Sequence, residues 1–169
     1  MTELIHCFPA IEDSTCRVLV LGSMPGVASL QAQQYYAHPQ NLFWKIAGDT
    51  FGFDPKSPYA SRVASLRAAR VAVWDVLRSC VRPGSLDAAI DKASVMTNDF
   101  SSFFGSHLQI ERVCFNGAAA ASIFAHQVQP HLRNHLDLQY IRLPSTSPAN
   151  ASIPVADKLV AWSAALKVA

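Results

Sequence analysis

The sequence has few charged residues and no strong excess of either sign. Only 15% of its 169 residues are charged, and the formal net charge is +2 with a pI near 8.4. Domains that bind nucleic acid mainly through charge are usually more basic, so this balance permits a polyanionic partner without requiring one. The low charge and a hydrophobic content of 50% exclude a disordered chain and indicate a well-covered globular core.

The chain also lacks a long apolar run. No segment approaches the length that crosses a bilayer, and residues 1–8 lack the basic start and apolar stretch of a secretory leader. We therefore expect a cytoplasmic protein without a membrane partner. No repeat, low-complexity tract or linker divides the chain, which predicts a single domain over residues 1–169, and we expect a monomer.

Cysteine is scarce and lacks the spacing of a metal site. Cys7, Cys16, Cys80 and Cys114 form no C-x-x-C pair, so the spacing suggests neither a zinc site nor an iron–sulfur cluster. We expect reduced, mostly buried thiols. The sequence thus predicts neither a metal nor a cofactor.

Four short apolar or β-branched runs predict buried strands, and longer segments with helical spacing lie between them. The strands are expected at 18–21, 71–74, 113–115 and 138–143, and the helices at 41–51, 59–70, 98–104, 117–128 and 154–166. This alternation indicates parallel βαβ units. The predicted fold class is α/β, a three-layer domain with a central, mainly parallel four-stranded sheet flanked by helices.

The carboxyl ends of parallel strands meet at one edge of a sheet, where α/β proteins bind their ligands. Segments 22–26, 75–78, 116–117 and 145–150 follow the four predicted strands. We expect these segments to converge into the functional site.

The first of these segments is Gly22-Ser23-Met24-Pro25-Gly26. Its glycines allow close approach of the backbone to a ligand, and its proline stiffens the loop. The segment is not the G-x-S-x-G elbow of esterases, and no lysine completes a phosphate-binding P-loop. It is therefore interpreted as a ligand-binding loop.

A second segment, residues 35–44, combines aromatic, imidazole and amide groups in the order Tyr-Tyr-Ala-His-Pro-Gln-Asn-Leu-Phe-Trp. A tyrosine ring can stack on a nucleobase, and the Asn41 amide can hold a water. The alternative is structural, with Asn41 as a helix N-cap and Tyr35 and Tyr36 as half-buried core, and both roles can coexist. His38, which precedes a proline, is interpreted as a local hydrogen-bonding residue.

Two further segments have alternative interpretations. Residues 144–150, Pro-Ser-Thr-Ser-Pro-Ala-Asn, offer hydroxyl and amide groups suited to phosphate contacts, or else form an ordinary Ser/Pro turn. Asp75 either pairs locally with Arg78 on the surface or faces the pocket.

Taken in this order, the three motifs 22–26, 35–44 and 144–150 resemble those of the uracil-DNA glycosylase superfamily, and most closely its hypoxanthine-DNA (deoxyinosine) glycosylase branch. The resemblance covers nearly the whole chain. It implies a monofunctional DNA glycosylase of base-excision repair, whose partner is DNA containing a deaminated base. Met24 departs from most branches, which place Asp, Asn or Glu there to handle water, and Ala149 stands where relatives often carry a bulky wedge into the duplex.

The resemblance implies roles for particular residues. Asn41 corresponds to the asparagine taken as catalytic in that branch, and we expect Ser145 and the backbone N–H groups of 22–26 to stabilise the departing base. A backbone N–H aimed at O6 would accept hypoxanthine and clash with the amino group of adenine. The expected base-binding residues are Gly22, Ser23, Met24, Pro25, Gly26, Tyr36 and Tyr35, with Trp74 or Asp75 on the far wall. The expected DNA-binding residues are Ser147, Pro148, Ala149 and Asn150.

Three other functions stay open from the sequence. The chain could be a mismatch-specific uracil or thymine DNA glycosylase, an enzyme acting on a free nucleoside, or a non-catalytic module that binds damaged DNA through Tyr35 and Tyr36. Salt dependence separates the first from the second, because only a DNA enzyme gains from phosphate contacts. Formation of abasic sites separates either enzyme from the binding module.

Overall fold

A computed structural model describes residues 3–133 and 137–168. The strands within these ranges are β1 Leu4–His6, β2 Val18–Gly22, β3 Val71–Asp75, β4 Leu77–Val81, β5 Met96–Thr97, β6 Arg112–Asn116 and β7 Gln139–Leu143. The α-helices are α1 Val27–Ala32, α2 Phe43–Phe51, α3 Tyr59–Ala68, α4 Phe100–Ser106, α5 Ala118–Ile123 and α6 Val155–Leu166.

The central sheet has four parallel strands in the order β3-β2-β6-β7. All five residues of β2 are buried, because β2 lies inside the sheet and both faces of the sheet are covered. The sheet confirms the predicted fold class, and each predicted strand matches an observed one to within one or two residues at its ends.

The two faces of the sheet pack against separate hydrophobic cores. Val18 and Val20 of β2 contribute to one core, which includes Phe43 of α2 and Trp162 of α6. Leu19 and Leu21 contribute to the other core. That core includes Phe100, Phe104 and Phe124. Successive side chains of a strand point to opposite faces, so one buried strand supplies both cores. The result is the expected arrangement of helices, sheet and helices.

A second, antiparallel sheet in the order β1-β4-β5 was not predicted. After Asp75 the chain passes through Val76 directly into β4, where the sequence predicted a loop at 75–78. β4 pairs with β1 over Leu4–His6 and presents Leu77 and Cys80 to a small cluster that includes Met24. Both partner strands of β4 are very short, so hydrophobic periodicity over a longer window cannot detect them.

Each of the five predicted helices is observed, with differences at the ends. The segment 117–128 forms α5 and then a π-helical turn over Phe124–Val128, and α1 was not predicted. Helix α1 has only six residues and no side-chain cap, which explains the missing signal. Cys16, Cys80 and Cys114 are buried free thiols, as expected, and Cys7 is half-buried. Across the described ranges, no helix combines the length and apolar character that spanning a membrane requires.

Candidate active site

A cleft of about 290 Å³ lies at the carboxyl edge of the central sheet. Its lining comes from the last residues of β2, β3 and β6 and from the loops that follow β2 and β7, together with residues of the 35–41 segment and of the loop after β4. The predicted convergence of these loops is therefore observed. The volume is close to the lower end of the range for small-molecule pockets, roughly 300–1,000 Å³.

Hydrogen bonds from the β3–β4 segment hold the loop 22–26. The carbonyl of Gly22 accepts from the Val76 N–H at 2.8 Å, and the carbonyl of Ser23 accepts from the Leu77 N–H at 3.1 Å. The side chain of Met24 is 7% exposed and packs in the cluster of Leu77 and Cys80. At the position where the resemblance leads us to expect a water-handling residue, Met24 is thus an apolar anchor for this loop.

Arg82, which follows β4, ties the same loop to the turn after β4. Its buried guanidinium donates to the carbonyl of Pro25 at 2.5 Å, to that of Met24 at 3.4 Å and to that of Gly84 at 2.9 Å. Guanidinium presents several donors in a rigid plane, so one side chain can hold three carbonyls in place. The sequence analysis did not single out Arg82, because a lone arginine after a strand carries no recognisable pattern.

Gly22 allows two polar side chains to approach the backbone at the end of β2. A Cβ atom at this position would lie 2.7 Å from Oδ1 of Asp75 and 3.1 Å from the hydroxyl oxygen of Tyr36. A real Cβ contact is almost never as short as the first of these distances. The absence of a side chain at Gly22 is therefore a condition for bringing Asp75 and Tyr36 together here.

Asp75 is a buried carboxyl group, 3% exposed, at the floor of the cleft. Its Oδ2 has no hydrogen-bond partner within the described part of the chain. The pKa of the Asp75 carboxyl is raised from 3.8 to about 7, mainly by burial, while the Arg82 guanidinium lowers it and the Asp87 charge raises it. Asp75 therefore titrates near neutral pH, and of its two sequence interpretations the pocket-facing one is correct.

The hydroxyl of Tyr36 is the second buried polar atom without a partner among the described residues. The Asn116 side chain nearby donates to Oγ1 of Thr146 and accepts from the backbone N–H of Thr146, both at 2.9 Å, and it lowers the pKa of Tyr36. Burial raises the pKa of Tyr36, so its hydroxyl stays protonated and can donate. Its ring lies on Phe43, with centroids 4.4 Å apart, and its φ of +54° is rare for a residue with a side chain.

Asn41 lines the cleft and also orients the start of α2. Its Oδ1 accepts a hydrogen bond from the backbone N–H of Phe43 at 2.9 Å. The backbone N–H of Asn41 in turn donates to the carbonyl of His38, so both the backbone and the side chain of Asn41 are hydrogen-bonded. An amide oxygen has two lone pairs, and the second can still accept a hydrogen from water. The N-cap prediction for Asn41 is wrong, because the N-cap of α2 is Leu42 and Asn41 lies one residue before it. Its bond to the Phe43 N–H is nevertheless compatible with holding a water.

The loop after β7 forms the opposite wall. Thr146 is fully buried and its carbonyl accepts from the Leu42 N–H at 3.0 Å, which links this loop to the entry of α2. Two side chains of α6 hold its ends, since Lys158 Nζ donates to the Asn150 carbonyl at 2.5 Å and Trp162 Nε1 to the Pro144 carbonyl at 2.9 Å. Residues 145–149 line the cleft, and Ser145 Oγ accepts from the Ser147 N–H at 3.1 Å.

Two predicted base-binding residues are placed differently by the structure. Trp74 does not line the cleft and packs on Phe103, with centroids 4.9 Å apart, because adjacent residues of β3 point to opposite faces and Asp75 takes the cleft side. Tyr35 touches the cleft but is 4% exposed, and its hydroxyl donates to the carbonyls of Phe8 and Pro9 at 3.1 Å. Its ring is therefore a core element, which leaves Tyr36 as the ring exposed to the cleft.

Two further predicted residues, His38 and Asn150, lie at the edge of the site. His38 is exposed at the cleft, and its Nδ1 accepts from the Gln40 N–H at 3.1 Å, as expected for a local hydrogen-bonding residue. Asn150 does not line the cleft, and its backbone carbonyl accepts a hydrogen bond from Lys158 Nζ. Among the residues that the structure describes, no cluster of His, Cys, Asp or Glu could hold a metal ion.

Comparison with known proteins places the chain in a family. Residues 8–165 match the model of the uracil DNA glycosylase superfamily, so the chain belongs to this superfamily. The match confirms the resemblance stated from the three motifs, and the match covers both walls of the cleft.

Similar proteins narrow the comparison to one branch. A protein of Methanosarcina acetivorans named hypoxanthine DNA glycosylase is 34% identical over 144 residues, which cover 85% of this chain and 86% of that protein. A Methanosarcina barkeri protein of the same name is 35% identical over 111 residues, or 65% of this chain and 69% of that protein. The solution NMR structure of a Methanosarcina acetivorans protein provisionally named uracil DNA glycosylase has a TM-score of 0.80 at 31% identity and covers 97% of both chains.

Proposed function

We propose that the protein is a monofunctional DNA glycosylase of base-excision repair that hydrolyses the N-glycosidic bond of deoxyinosine and releases hypoxanthine. The observation that carries this proposal is the pair of buried, unpartnered polar groups of Tyr36 and Asp75 at the floor of the cleft. Buried polar groups are normally hydrogen-bonded, so such a pair indicates a polar ligand. The two Methanosarcina relatives named hypoxanthine DNA glycosylase support the same substrate.

The base must leave the duplex to reach this pair. The cleft has room for a single base. Its floor lies below the loops that follow β2 and β7. Extrusion of a nucleotide costs a few kcal/mol and costs least for a mismatched or damaged base. Hypoxanthine makes two hydrogen bonds with cytosine where guanine makes three, so deoxyinosine is the easier nucleotide to extrude.

In the proposed complex both floor groups donate to the base. Tyr36 stays protonated, and Asp75 is protonated below its pKa of about 7. Hypoxanthine presents the adjacent acceptors O6 and N7, whereas adenine carries a donating amino group in place of O6. Two donors therefore accept hypoxanthine and leave the adenine amino group facing a donor, a mismatch that strongly disfavours binding.

The same donors serve the bond-breaking step. As the C1′–N9 bond lengthens, positive charge develops on the sugar and negative charge on the departing base. A neutral carboxyl group and a phenol stabilise this negative charge, whereas an ionised Asp75 would oppose it. Each preorganised donor of this kind contributes on the order of 10²–10³ in rate. Ser145 and the backbone N–H groups of 22–26 are proposed to add to this stabilisation.

Asn41 is proposed to position the attacking water. An amide does not ionise near neutral pH, so its contribution is orientation rather than strong base catalysis. Its bond to the Phe43 N–H fixes the side chain, which leaves one lone pair of Oδ1 for the water. Across the cleft, Ser147, Pro148, Ala149 and Asn150 are proposed to contact the DNA backbone beside the extruded nucleotide.

The test is a panel of duplexes that each carry one deoxyinosine, deoxyuridine, deoxyxanthosine or mismatched thymidine. The duplexes are incubated with protein and treated with alkali, which cleaves the strand at an abasic site. We expect cleavage at deoxyinosine to be fastest, and to decrease as salt is added. Binding without abasic sites would instead identify a damage-binding module, and equal activity on free inosine would identify a nucleoside hydrolase.

A further inference from the structure

The loop after β4 presents an exposed leucine at the mouth of the cleft. Leu86 lines the cleft, yet its side chain is 60% exposed. Among the exposed large hydrophobic side chains that the structure describes, only Leu86 and Val27 line the cleft, and Val27 is smaller and 41% exposed. A single exposed leucine is common on protein surfaces, so the feature that distinguishes Leu86 is its position at the mouth of a polar cleft.

Both neighbours of Leu86 are hydrogen-bonded to the adjacent segment 23–27 at the cleft mouth. Ser85 Oγ accepts from the Val27 N–H at 2.9 Å, and Asp87 Oδ1 accepts from the Ser23 hydroxyl at 2.5 Å. The Leu86 carbonyl accepts from the Ala89 N–H at 3.0 Å. The backbone is thus held on each side of Leu86 while its side chain remains free.

Buried Arg82 makes this presentation rigid. Its guanidinium donates to the Gly84 carbonyl, two residues before Leu86, and to the carbonyls of Met24 and Pro25 in the loop 22–26. Movement of the leucine relative to the cleft would break several of these bonds. A rigid apolar side chain can enter another molecule with little loss of conformational entropy.

We propose that Leu86 enters the DNA base stack and fills the gap that the extruded nucleotide leaves. A vacated gap exposes apolar base faces to water, and apolar side chains inserted between base steps offset this unstacking cost. Across the cleft, Ala149 is too small for this purpose, so the penetrating side chain comes from the loop after β4 instead. This inference rests on the proposed DNA glycosylase function.

The experiment compares Leu86→Ala and Leu86→Met with Leu108→Ala, which removes another exposed leucine, 83% exposed and outside the cleft. Single-turnover release of hypoxanthine is measured on a duplex with cytosine opposite deoxyinosine. It is also measured on a duplex with pyrene opposite, because the large aromatic group fills the gap itself. We expect Leu86→Ala to lose about tenfold or more on the first duplex and to recover on the second. Leu86→Met and Leu108→Ala should stay near wild type on both.

A second readout does not depend on cleavage. The fluorescence of 2-aminopurine placed beside deoxyinosine rises when its stacking is disturbed, so insertion of Leu86 is seen on binding alone. We expect the rise with wild type and Leu108→Ala, and a smaller rise with Leu86→Ala. If Leu86→Ala matches Leu108→Ala in fluorescence, the inference is overturned even when no base is released. A wild-type protein that gives the rise without releasing hypoxanthine would overturn the proposed function and leave the inference supported.

Discussion

Gly22 and Asp75 are register partners on β2 and β3, and the absence of a side chain on Gly22 leaves the space that the Asp75 carboxyl occupies. The carboxyl is buried there without a partner for Oδ2 among the described residues. A glycine and an acid at the ends of two adjacent parallel strands thus create one polar floor. The relationship joins two residues that are 53 positions apart in the sequence.

The first prediction concerns Gly22→Ala. The new Cβ would lie 2.7 Å from Asp75 Oδ1, so the carboxyl must rotate away from the floor of the cleft. We expect hypoxanthine release to fall about 100-fold, because displacement of a catalytic group by an ångström has effects of this size. The free energy of unfolding should change by no more than about 1 kcal/mol, since the carboxyl is the mobile end of its side chain. Single-turnover rates and urea denaturation measure the two effects.

The control for this variant is Gly105→Ala on α4, where an added Cβ meets nothing within 4 Å. It should leave the rate of release unchanged. Equal rates for Gly22→Ala and wild type would show that the Asp75 position does not matter for the reaction.

The second prediction concerns Tyr36→Phe. The substitution removes a buried hydroxyl that has no partner in the described ranges, so the free energy of unfolding should stay the same or rise by about 1 kcal/mol. Release of hypoxanthine should fall by about 10²-fold, because a donor to the departing base is lost. Tyr35→Phe should lower stability by about 1 kcal/mol instead, since that hydroxyl donates to two carbonyls. A Tyr36→Phe enzyme with the wild-type rate would exclude the hydroxyl as a donor.

The third prediction is the pH dependence of catalysis. Asp75 must be protonated to donate, and its pKa is about 7, so kcat/KM should fall as pH rises through about 7. Asp75→Asn keeps a donating NH₂ group without a titratable proton. This variant should be slower than wild type below pH 7 and should lose the decrease above it. A wild-type rate that increases through pH 7 would assign Asp75 the opposite role, that of an ionised acceptor.

The fourth prediction is the pH dependence of stability. The pKa of Asp75 is about 7 in the folded protein and 3.8 in the unfolded chain, so the folded state binds the extra proton between these values. The stabilising contribution of Asp75 is complete below about pH 4 and is lost as pH rises to about 7, with a slope of up to about 1.4 kcal/mol per pH unit. Asp75→Asn removes this contribution. Its free energy of unfolding relative to wild type should therefore increase between pH 4 and pH 7, as measured by urea denaturation across that window.

The fifth prediction separates the two roles of Asn41. Asn41→Ala removes both the bond to the Phe43 N–H and the water-positioning oxygen. It should lower the free energy of unfolding by about 1 kcal/mol and abolish most hypoxanthine release without unfolding the protein. Asn41→Ser keeps an oxygen that can accept from the Phe43 N–H on a shorter side chain, so it should recover stability and not activity. Near wild-type release by Asn41→Ala in single-turnover assays would remove Asn41 from the mechanism.

Much of the fold follows from local patterns. The four strands of the central sheet are short and buried on both faces, so each produces an apolar run that periodicity can detect. Helices α2 and α6 were predicted because their apolar residues recur at helical spacing over nine and twelve residues. The antiparallel sheet escaped detection because β5 has only two residues and β1 only three, and their stability comes from pairing with β4.

The site, like the fold, has parts that the sequence predicted and parts that it did not. Asn41, Tyr36 and the loops 22–26 and 145–149 could be predicted, because each lies beside a predicted strand end or in an unusual cluster of residue types. Trp74 was assigned to the site although it alternates with Asp75, and the alternation alone could have placed the two on opposite faces. Arg82 and Leu86 carry no sequence pattern. Leu86 lines the cleft and Arg82 holds the loop 22–26 only because the chain after β4 comes back to the carboxyl edge of the central sheet.

The sequence by itself determined the fold class, the edge of the sheet that carries the site and the family, because apolar periodicity and loop motifs are local properties of the chain. Only the tertiary structure decided that the pKa of Asp75 is raised to about 7, that Tyr36 rather than Tyr35 faces the cleft, and that Arg82 holds the loop 22–26. The reason is that burial, pKa and hydrogen-bond partners depend on residues that are distant in sequence and meet only when the strands align.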